Sequence, residues 1–168
     1  GVITFFSTTD AGANWVDEAV DISSGDGPHG VAVYPGIDGE DKLYVLTMEG
    51  LYEVDTVPTT WTITHIPSPS GIATYGRRMI VHADGALWFS VGVDDDTPAP
   101  FYRMIVQGDS REIVPLGLDL GDSVPAEMLG PVTHMASAGG FLFAALGGGK
   151  AARNARIVCW NGKGWSSM

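Results

Sequence analysis

Apolar residues along this chain come in runs of roughly four to eight, each closed by Gly, Pro, Asn, Asp or Ser, which is the pattern of short β-strands joined by turns. Three runs align with one another: Lys42-Leu43-Tyr44-Val45-Leu46-Thr47, Ala86-Leu87-Trp88-Phe89-Ser90-Val91 and Phe141-Leu142-Phe143-Ala144-Ala145-Leu146. Their leucines, at 43, 87 and 142, stand 44 and 55 residues apart. That interval suits a repeating unit of four strands, roughly 40–50 residues long. Ahead of each anchor lies an apolar strand, Gly30–Tyr34, Arg78–His82 or Thr133–Ser137, followed by a turn over 35–41, 83–85 or 138–140. A third strand comes after each anchor (Gly50–Asp55, Phe101–Gln107, Ala155–Trp160), then a fourth (Trp61–Ile66, Glu112–Leu116 and the stub Trp165–Met168). Trp15, Trp61 and Trp165 open fourth strands, and Arg111 holds that place in the second full unit. Strands over Gly1–Ser7 and Val16–Ile22 make residues 1–22 the last two strands of an earlier unit. No helix is expected; Pro125–Leu129 is one short turn at most.

The first two strands are joined by Thr8-Thr9-Asp10-Ala11-Gly12-Ala13-Asn14-Trp15. An Asp followed two residues later by Gly is a turn signal, because the carboxylate accepts backbone N–H bonds and Gly takes a positive φ without a steric penalty. The spacing S/T-x-D-x-G-x-x-W resembles the Asp-box, the hairpin repeat of sialidases and other BNR-type β-propellers. The resemblance implies an all-β, partial β-propeller of about three and a half four-stranded antiparallel blades. Residues 1–168 would form a single propeller segment: 1–22 the outer half of a blade, and 30–66, 78–116 and 133–168 successive blades. In those families the box joins the two outer strands of a blade on the face away from the active site, so it speaks to fold rather than chemistry. Asp10, Gly12 and Trp15 are accordingly expected to be structural, with Asp10 buried among the N–H groups of its own turn and the Trp15 ring packed back over the hairpin. A propeller ring needs at least four blades. The expectation is therefore a piece of a larger ring, to which the opening inside a strand also points, or two copies combining into about seven blades.

Composition narrows the classes. Of the 168 residues, 45% are hydrophobic and 17% charged, enough for a packed core, and Gly 23 with Pro 10 fits many turns. A net charge of −11 argues against nucleic acid and against an anionic membrane surface. No apolar run approaches the ~20 residues that span a bilayer, and no secretory leader is visible. The single cysteine, Cys159, excludes an internal disulfide framework and a Cys-based zinc site, and its setting in Ile157-Val158-Cys159-Trp160 suits a buried free thiol.

In propellers the binding face carries the loops entering the innermost strand (here 23–29, 67–77 and 118–131) and those joining the second and third strands (48–49, 93–100 and 147–154). A sialidase-like centre would need three arginines gripping a carboxylate, since the planar guanidinium binds it in bidentate fashion, with a Tyr–Glu nucleophile pair and an acid Asp. Only Arg77, Arg78 and Arg153 stand at suitable loop positions, the Arg-Ile-Pro signature is missing, and nothing fixes Tyr75 and Glu127 as partners. No catalytic residue is assigned. Acidic stretches at Asp26, Asp38-Gly39-Glu40-Asp41 and Asp94-Asp95-Asp96 offer oxygen atoms to calcium but follow no calcium-loop spacing, so solvated turns explain them better. His29, His65, His82 and His134 lack metal-ligand spacing, although His29 and His134 lie near inner-strand starts. No metal site or cofactor follows. Gly147-Gly148-Gly149-Lys150-Ala151-Ala152-Arg153-Asn154 resembles a phosphate loop only superficially, because it lacks the second Gly-Lys-Ser/Thr and a helix after it. Its cations, with Arg77 and Arg78, form a basic spot suited to an anionic sugar or a partner's carboxylates, and Tyr75 offers a stacking platform.

The tail Ala155–Trp165, with its Asn161-Gly162 hairpin signal, resembles outer-strand hairpins of repeat propellers in phage virion and cell-surface proteins. Asp84-Gly85-Ala86-Leu87-Trp88 is similar to sensor-type propeller repeats. These resemblances imply a non-catalytic module that binds a glycan or a protein partner, at a virion or extracellular site, with His29, Tyr75, Arg77, Arg78, Lys150 and Arg153 as candidate binding residues. The alternative is a fragment of a sialidase-like glycoside hydrolase or lyase whose catalytic residues lie in other blades. A third reading is a pure interaction scaffold.

Overall fold

The computed structural model describes residues 1–25, 27–56, 60–67, 75–92, 101–118, 120, 130–147 and 155–168, with backbone alone for 75–77. Strands β1 (Val2–Ser7) and β2 (Val16–Ser23) make a two-stranded sheet. A second sheet contains β3 (Gly30–Pro35), β4 (Asp41–Thr47), β5 (Gly50–Asp55) and β6 (Thr62–Ile66). The third holds β7 (Tyr75–Val81), β8 (Leu87–Gly92), β9 (Phe101–Gln107) and β10 (Ser110–Leu116), and the fourth β11 (Val132–Ala138), β12 (Phe141–Leu146), β13 (Arg156–Trp160) and β14 (Trp165–Ser167). Every strand pairs antiparallel with its sequence neighbour. No helix occurs among the described residues. The fold is all-β, a partial propeller of three four-stranded blades and a two-stranded one, and the described residues do not close a ring. The expected turn at 125–129 lies outside the described residues.

The apolar runs of the middle strands are continuous because both faces of their sheets are buried. Along β4, Leu43 and Val45 point to the first sheet, while Tyr44 and Leu46 point to the third. Along β8, Leu87, Phe89 and Val91 face the second sheet, whereas Trp88 faces the fourth. Three apolar seams result, one between each successive pair of sheets, and each fully buried large side chain contributes about 1.5–3 kcal/mol. The first seam is incomplete. The two-stranded sheet covers only the outer half of its neighbour, so Val31 and Val33 on β3 remain 57% and 61% exposed.

The position that opens the fourth strand does the same work in each blade: it reaches back to the preceding sheet. Trp61 meets Phe5 of β1 with ring centroids 6.1 Å apart. Arg111 donates to the Glu53 carboxylate of β5. Trp165 packs on Phe101 of β9 at 4.4 Å. Trp15 stands at the same place in the first sheet and is 62% exposed.

Polar groups reinforce both the seams and the single blades. The Tyr34 hydroxyl donates to the Gly85 carbonyl at 2.8 Å, and His82 Nδ1 lies 2.7 Å from Ser137 Oγ. Asp84 accepts Trp88 Nε1 at 3.2 Å and Arg103 Nε at 2.9 Å. Lys42 is 4% exposed, with its ammonium 2.7 Å from Asp38 and 2.8 Å from Asp55; those carboxylates, Asp38 first, raise its pKa. Asp38 is thus engaged with a lysine rather than standing in a purely solvated turn.

The hairpin over residues 8–15 is knitted differently from the expectation. Asp10 is exposed, not buried. Its carboxylate accepts the Asn14 N–H at 2.8 Å, the Asn14 side-chain amide at 2.6 Å and the Thr8 hydroxyl at 2.8 Å, while Thr8 Oγ1 accepts the Gly12 N–H at 3.0 Å. The expected backbone donor is met chiefly by the Asn14 N–H, with the Asn14 amide and the Thr8 hydroxyl beside it. Gly12 adopts φ 91°, and the Trp15 ring does lie over it, 3.7 Å from where a Cβ would stand. Strand bounds differ at β7, which begins at Tyr75 and not at Arg78. Tyr75 and Gly76 pair with Gly92 and Val91, and a bulge before Arg78 absorbs Arg77.

Candidate functional site

The loop-bearing end of the inner strands is organised by close backbone approaches. His29 fixes the start of β3 through its N–H, which donates to the Leu46 carbonyl at 2.8 Å. Beside it, Gly30 lies so near β7 that a Cβ there would stand 2.9 Å from Met79 Cβ. His29 and Arg78 are in this way held at adjacent places on neighbouring inner strands. Arg78 Nε in turn donates to the Thr133 carbonyl of β11 at 2.5 Å. Thr133 sits in a bulge between Val132 and His134, the counterpart of the one at Arg77, and its hydroxyl donates to the Ala145 carbonyl at 3.2 Å. Bulges re-aim side chains at the ends of sheets, and here two successive inner strands carry one at the same end.

Next to this end, a cleft of about 540 Å³ is bordered by Thr133, Ala145, Gly147, Ala155, Arg156 and Ile157. Arg156 Nε is buried there without a hydrogen-bond partner. A buried guanidinium N–H of this kind is costly unless an acceptor meets it. Arg78 and Arg156 therefore approach Thr133 from two different strands, a cationic arrangement suited to a planar anion such as a carboxylate. The sequence places Arg156 in an outer-strand hairpin; its position two residues beyond a Gly-rich, cation-bearing loop is the available signal.

Glu49 organises the second part of this end. Its carboxylate accepts the Gly25 N–H at 2.5 Å and the Thr47 hydroxyl at 3.2 Å, tying the β4–β5 turn to the loop before β3. The Ser24 hydroxyl is the main cause that holds the carboxyl below the usual range, with the Gly25 N–H assisting against desolvation. Nothing in the spacing of Met48-Glu49 pointed to this role.

Of the candidate binding residues, His29 and Arg78 share the inner-strand end, and Tyr75 and Arg77 lie on β7 directly ahead of Arg78. Lys150 and Arg153 lie outside the described residues, as do Asp26, Asp94-Asp95-Asp96 and Glu127. The remaining histidines are elsewhere: His65 stacks on Tyr52 with ring centroids 4.9 Å apart, His82 is buried against Ser137, and His134 is exposed on the outward face of the last sheet. Among the described residues, no group of three or more His, Cys, Asp or Glu comes together to hold a metal ion. Cys159 is a free, buried cysteine. No described helix is long and apolar enough to cross a membrane. No protein-family model matches this chain, and no curated protein matches it.

Proposed function

We propose that this chain is a non-catalytic propeller module of Asp-box type that recognises an anionic glycan, or the carboxylates of a protein partner, at the loop-bearing end of its inner strands. The observation that carries this reading is the cleft beside Thr133, where Arg156 keeps a buried Nε without a partner and Arg78 approaches from the next blade. The ionisable side chains elsewhere support it, since Glu53 and Arg111 are occupied in joining two blades and Lys42, Asp84 and Arg103 are paired within single blades. A virion or extracellular setting, where propellers meet glycans, agrees with the repeat-like hairpins of the tail.

Glycan-array binding of the purified chain tests the reading. Acidic sugars are expected to be retained over their neutral counterparts. Arg156→Ala or Arg78→Ala is expected to weaken that retention roughly ten- to a hundredfold, the loss of one or two charge-assisted hydrogen bonds. Retention of neutral and acidic sugars alike, or no change in the variants, would reject the site.

A further inference from the structure

A second cleft, of about 260 Å³, opens between the third and fourth sheets and is bordered by Asp84, Arg103, Val114, Leu116, Trp160 and Gly162. It lies at the opposite end of β13 from the first. Trp160 stands four residues along that strand from Arg156, about 13 Å at the usual strand rise. The cross-strand partners Trp88↔Arg103 and Val114↔Arg103 set three side chains in one row across the third sheet, on the face that Trp88 turns to the fourth. Leu116 belongs to the same apolar seam and, like Val114, is half-buried. Opposite them Trp160, also half-buried, packs with its ring centroid 5.7 Å from that of Trp88 and 5.5 Å from that of Trp165. The turn over 161–164 forms one lip, held in shape by Asn161 Oδ1, which accepts the Lys163 and Gly164 N–H groups at 3.0 and 3.1 Å.

Two polar side chains meet this apolar wall. Asp84 accepts the Ala86 N–H at 3.1 Å, Trp88 Nε1 at 3.2 Å and Arg103 Nε at 2.9 Å. Those three bonds fix the carboxylate and, through it, the plane of the guanidinium. Arg103 meets Asp84 through Nε, and among the described residues its Nη groups have no protein acceptor. Asp84 and Arg103 are 28% and 32% exposed, so each keeps an edge open. A carboxylate has about four acceptor positions, and three donors leave room for one more.

This arrangement favours a neutral ligand, because the two charges offset each other at contact distance and a ligand carboxylate would meet Asp84 beside the guanidinium. The ligand must accept hydrogen bonds from the Nη groups, donate one to Asp84 and lay an apolar face on the indole. A pyranose does all three, with neighbouring hydroxyls that both accept and donate and a ring face of C–H groups. The volume falls below the ~300–1,000 Å³ of pockets for drug-sized ligands, which limits the occupant to one ring. We propose that this cleft binds a single neutral sugar residue, stacked on Trp160 with its hydroxyls between Arg103 and Asp84. The inference goes beyond the acidic-glycan reading and does not rest on it, since the two clefts share no residue.

Proton–nitrogen NMR spectra of the 168-residue chain test it, in titrations with glucose, galactose, mannose and fucose and with their methyl glycosides. At least one sugar is expected to shift the Trp160 Nε1–H signal, identified by its loss in Trp160→Phe. The shift should saturate with a Kd on the order of 1 mM, ordinary for about a dozen heavy atoms. Binding of that strength does not survive the washes of a glycan array, so it leaves the acidic preference there untouched. A site for the end residue of a glycan accepts the methyl glycoside, and one for the free sugar accepts only the reducing form; either supports the cleft. Arg103→Lys keeps the charge beside Asp84 but not the planar fork, and should weaken binding about tenfold at an unchanged melting temperature. Trp160→Ala should abolish binding, and if that variant does not fold, Arg103→Lys carries the test. An excess of methyl glucuronide should leave the shift in place. The absence of a saturable shift with every sugar overturns the inference, as does binding indifferent to Arg103→Lys or displaced by the glucuronide.

Discussion

Glu53 on β5 accepts hydrogen bonds from the guanidinium of Arg111 on β10 and from the hydroxyl of Tyr44 on β4, so that a single carboxylate bridges the seam between the second and third sheets. The two charged side chains are 13% and 17% exposed. Burial chiefly, with the neighbouring Glu53 charge, raises the pKa of Tyr44 and keeps its hydroxyl a donor. Removing the carboxylate leaves a largely buried guanidinium without its acceptor, while the Tyr44 hydroxyl keeps only the Pro35 carbonyl at 3.2 Å. Glu53→Ala is therefore expected to cost about 2–3 kcal/mol in urea denaturation. The double variant Glu53→Ala with Arg111→Ala should cost less than the sum of the single variants by at least about 1 kcal/mol. Additive losses would show that the bridge carries no coupling.

This bridge also marks where sequence reasoning stops. The strands were legible because their signals are local: apolar runs such as Ala86–Val91, the Asp84-Gly85 and Asn161-Gly162 turns, and the three aligned leucines. All fourteen expected strands form, with differences of a few residues at their ends. Glu53 and Arg111 are 58 residues apart, and nothing near either one indicates the other. The aligned units already put Arg111 where the others have tryptophan, but only the folded blades reveal that this slot is directed at the preceding sheet. The site was legible in part for the same reason. Arg77 and Arg78 could be assigned to the loop-bearing end from the blade pattern, whereas Arg156 depends on how β13 pairs with β12, and Glu49 on a loop brought to it by the fold. Asn14 shows a subtler limit. The turn motif directs attention to its Asp, Gly and Trp, but the donor that matters most to Asp10 stands at an intervening position.

Asp10 gives a pH prediction. The Asn14 N–H first, then the Asn14 amide and the Thr8 hydroxyl, hold its carboxyl at about 2, down from an ordinary 3.8. A depressed folded value means that the unfolded chain binds the proton first as pH falls. The hairpin's contribution is thus whole above about pH 4 and disappears as the pH drops through 2. Thermal melting of wild type and Asp10→Ala should differ at neutral pH, and the difference should shrink towards zero between pH 4 and 2. The carboxylate is exposed, so high salt should narrow the gap. A gap independent of pH over that range would show that Asp10 acts by something other than its charge.

Trp88 predicts a graded series. It is fully buried in the seam between the third and fourth sheets, lies 5.7 Å from Trp160 and 6.3 Å from Trp165 between ring centroids, and donates Nε1 to Asp84. Trp88→Phe keeps most of the packing and loses the hydrogen bond, so about 1–2 kcal/mol should be lost in chemical denaturation. Trp88→Ala opens a cavity between the sheets and should cost about 3–5 kcal/mol. Equal losses would mean that the hydrogen bond, and not the filled seam, is what Trp88 contributes.

Two glycines separate backbone crowding from side-chain crowding. Gly147, at φ 133°, directly follows β12, and a Cβ there would stand 2.9 Å from Ala155 Cα; a Cβ on Gly130 would in turn stand 2.7 Å from Gly147 Cα. Gly50, at φ 144°, has an equally unfavourable backbone conformation, but its Cβ would meet the exposed His65 ring at Nε2, 2.6 Å away. Both substitutions to Ala incur the backbone strain of about 1–3 kcal/mol. The His65 ring can swing aside, whereas the Ala155 backbone is fixed at the entry to β13. Gly147→Ala should therefore cost more than Gly50→Ala by about 1–2 kcal/mol in urea denaturation. It should also disturb the cleft, because Gly147, Ala155 and Arg156 border it together. Acidic-glycan retention should then fall in Gly147→Ala at temperatures where the chain is still folded, and persist in Gly50→Ala. The reverse order, in stability or in retention, would mean that the close approach at Gly147 is not what shapes that end of the molecule.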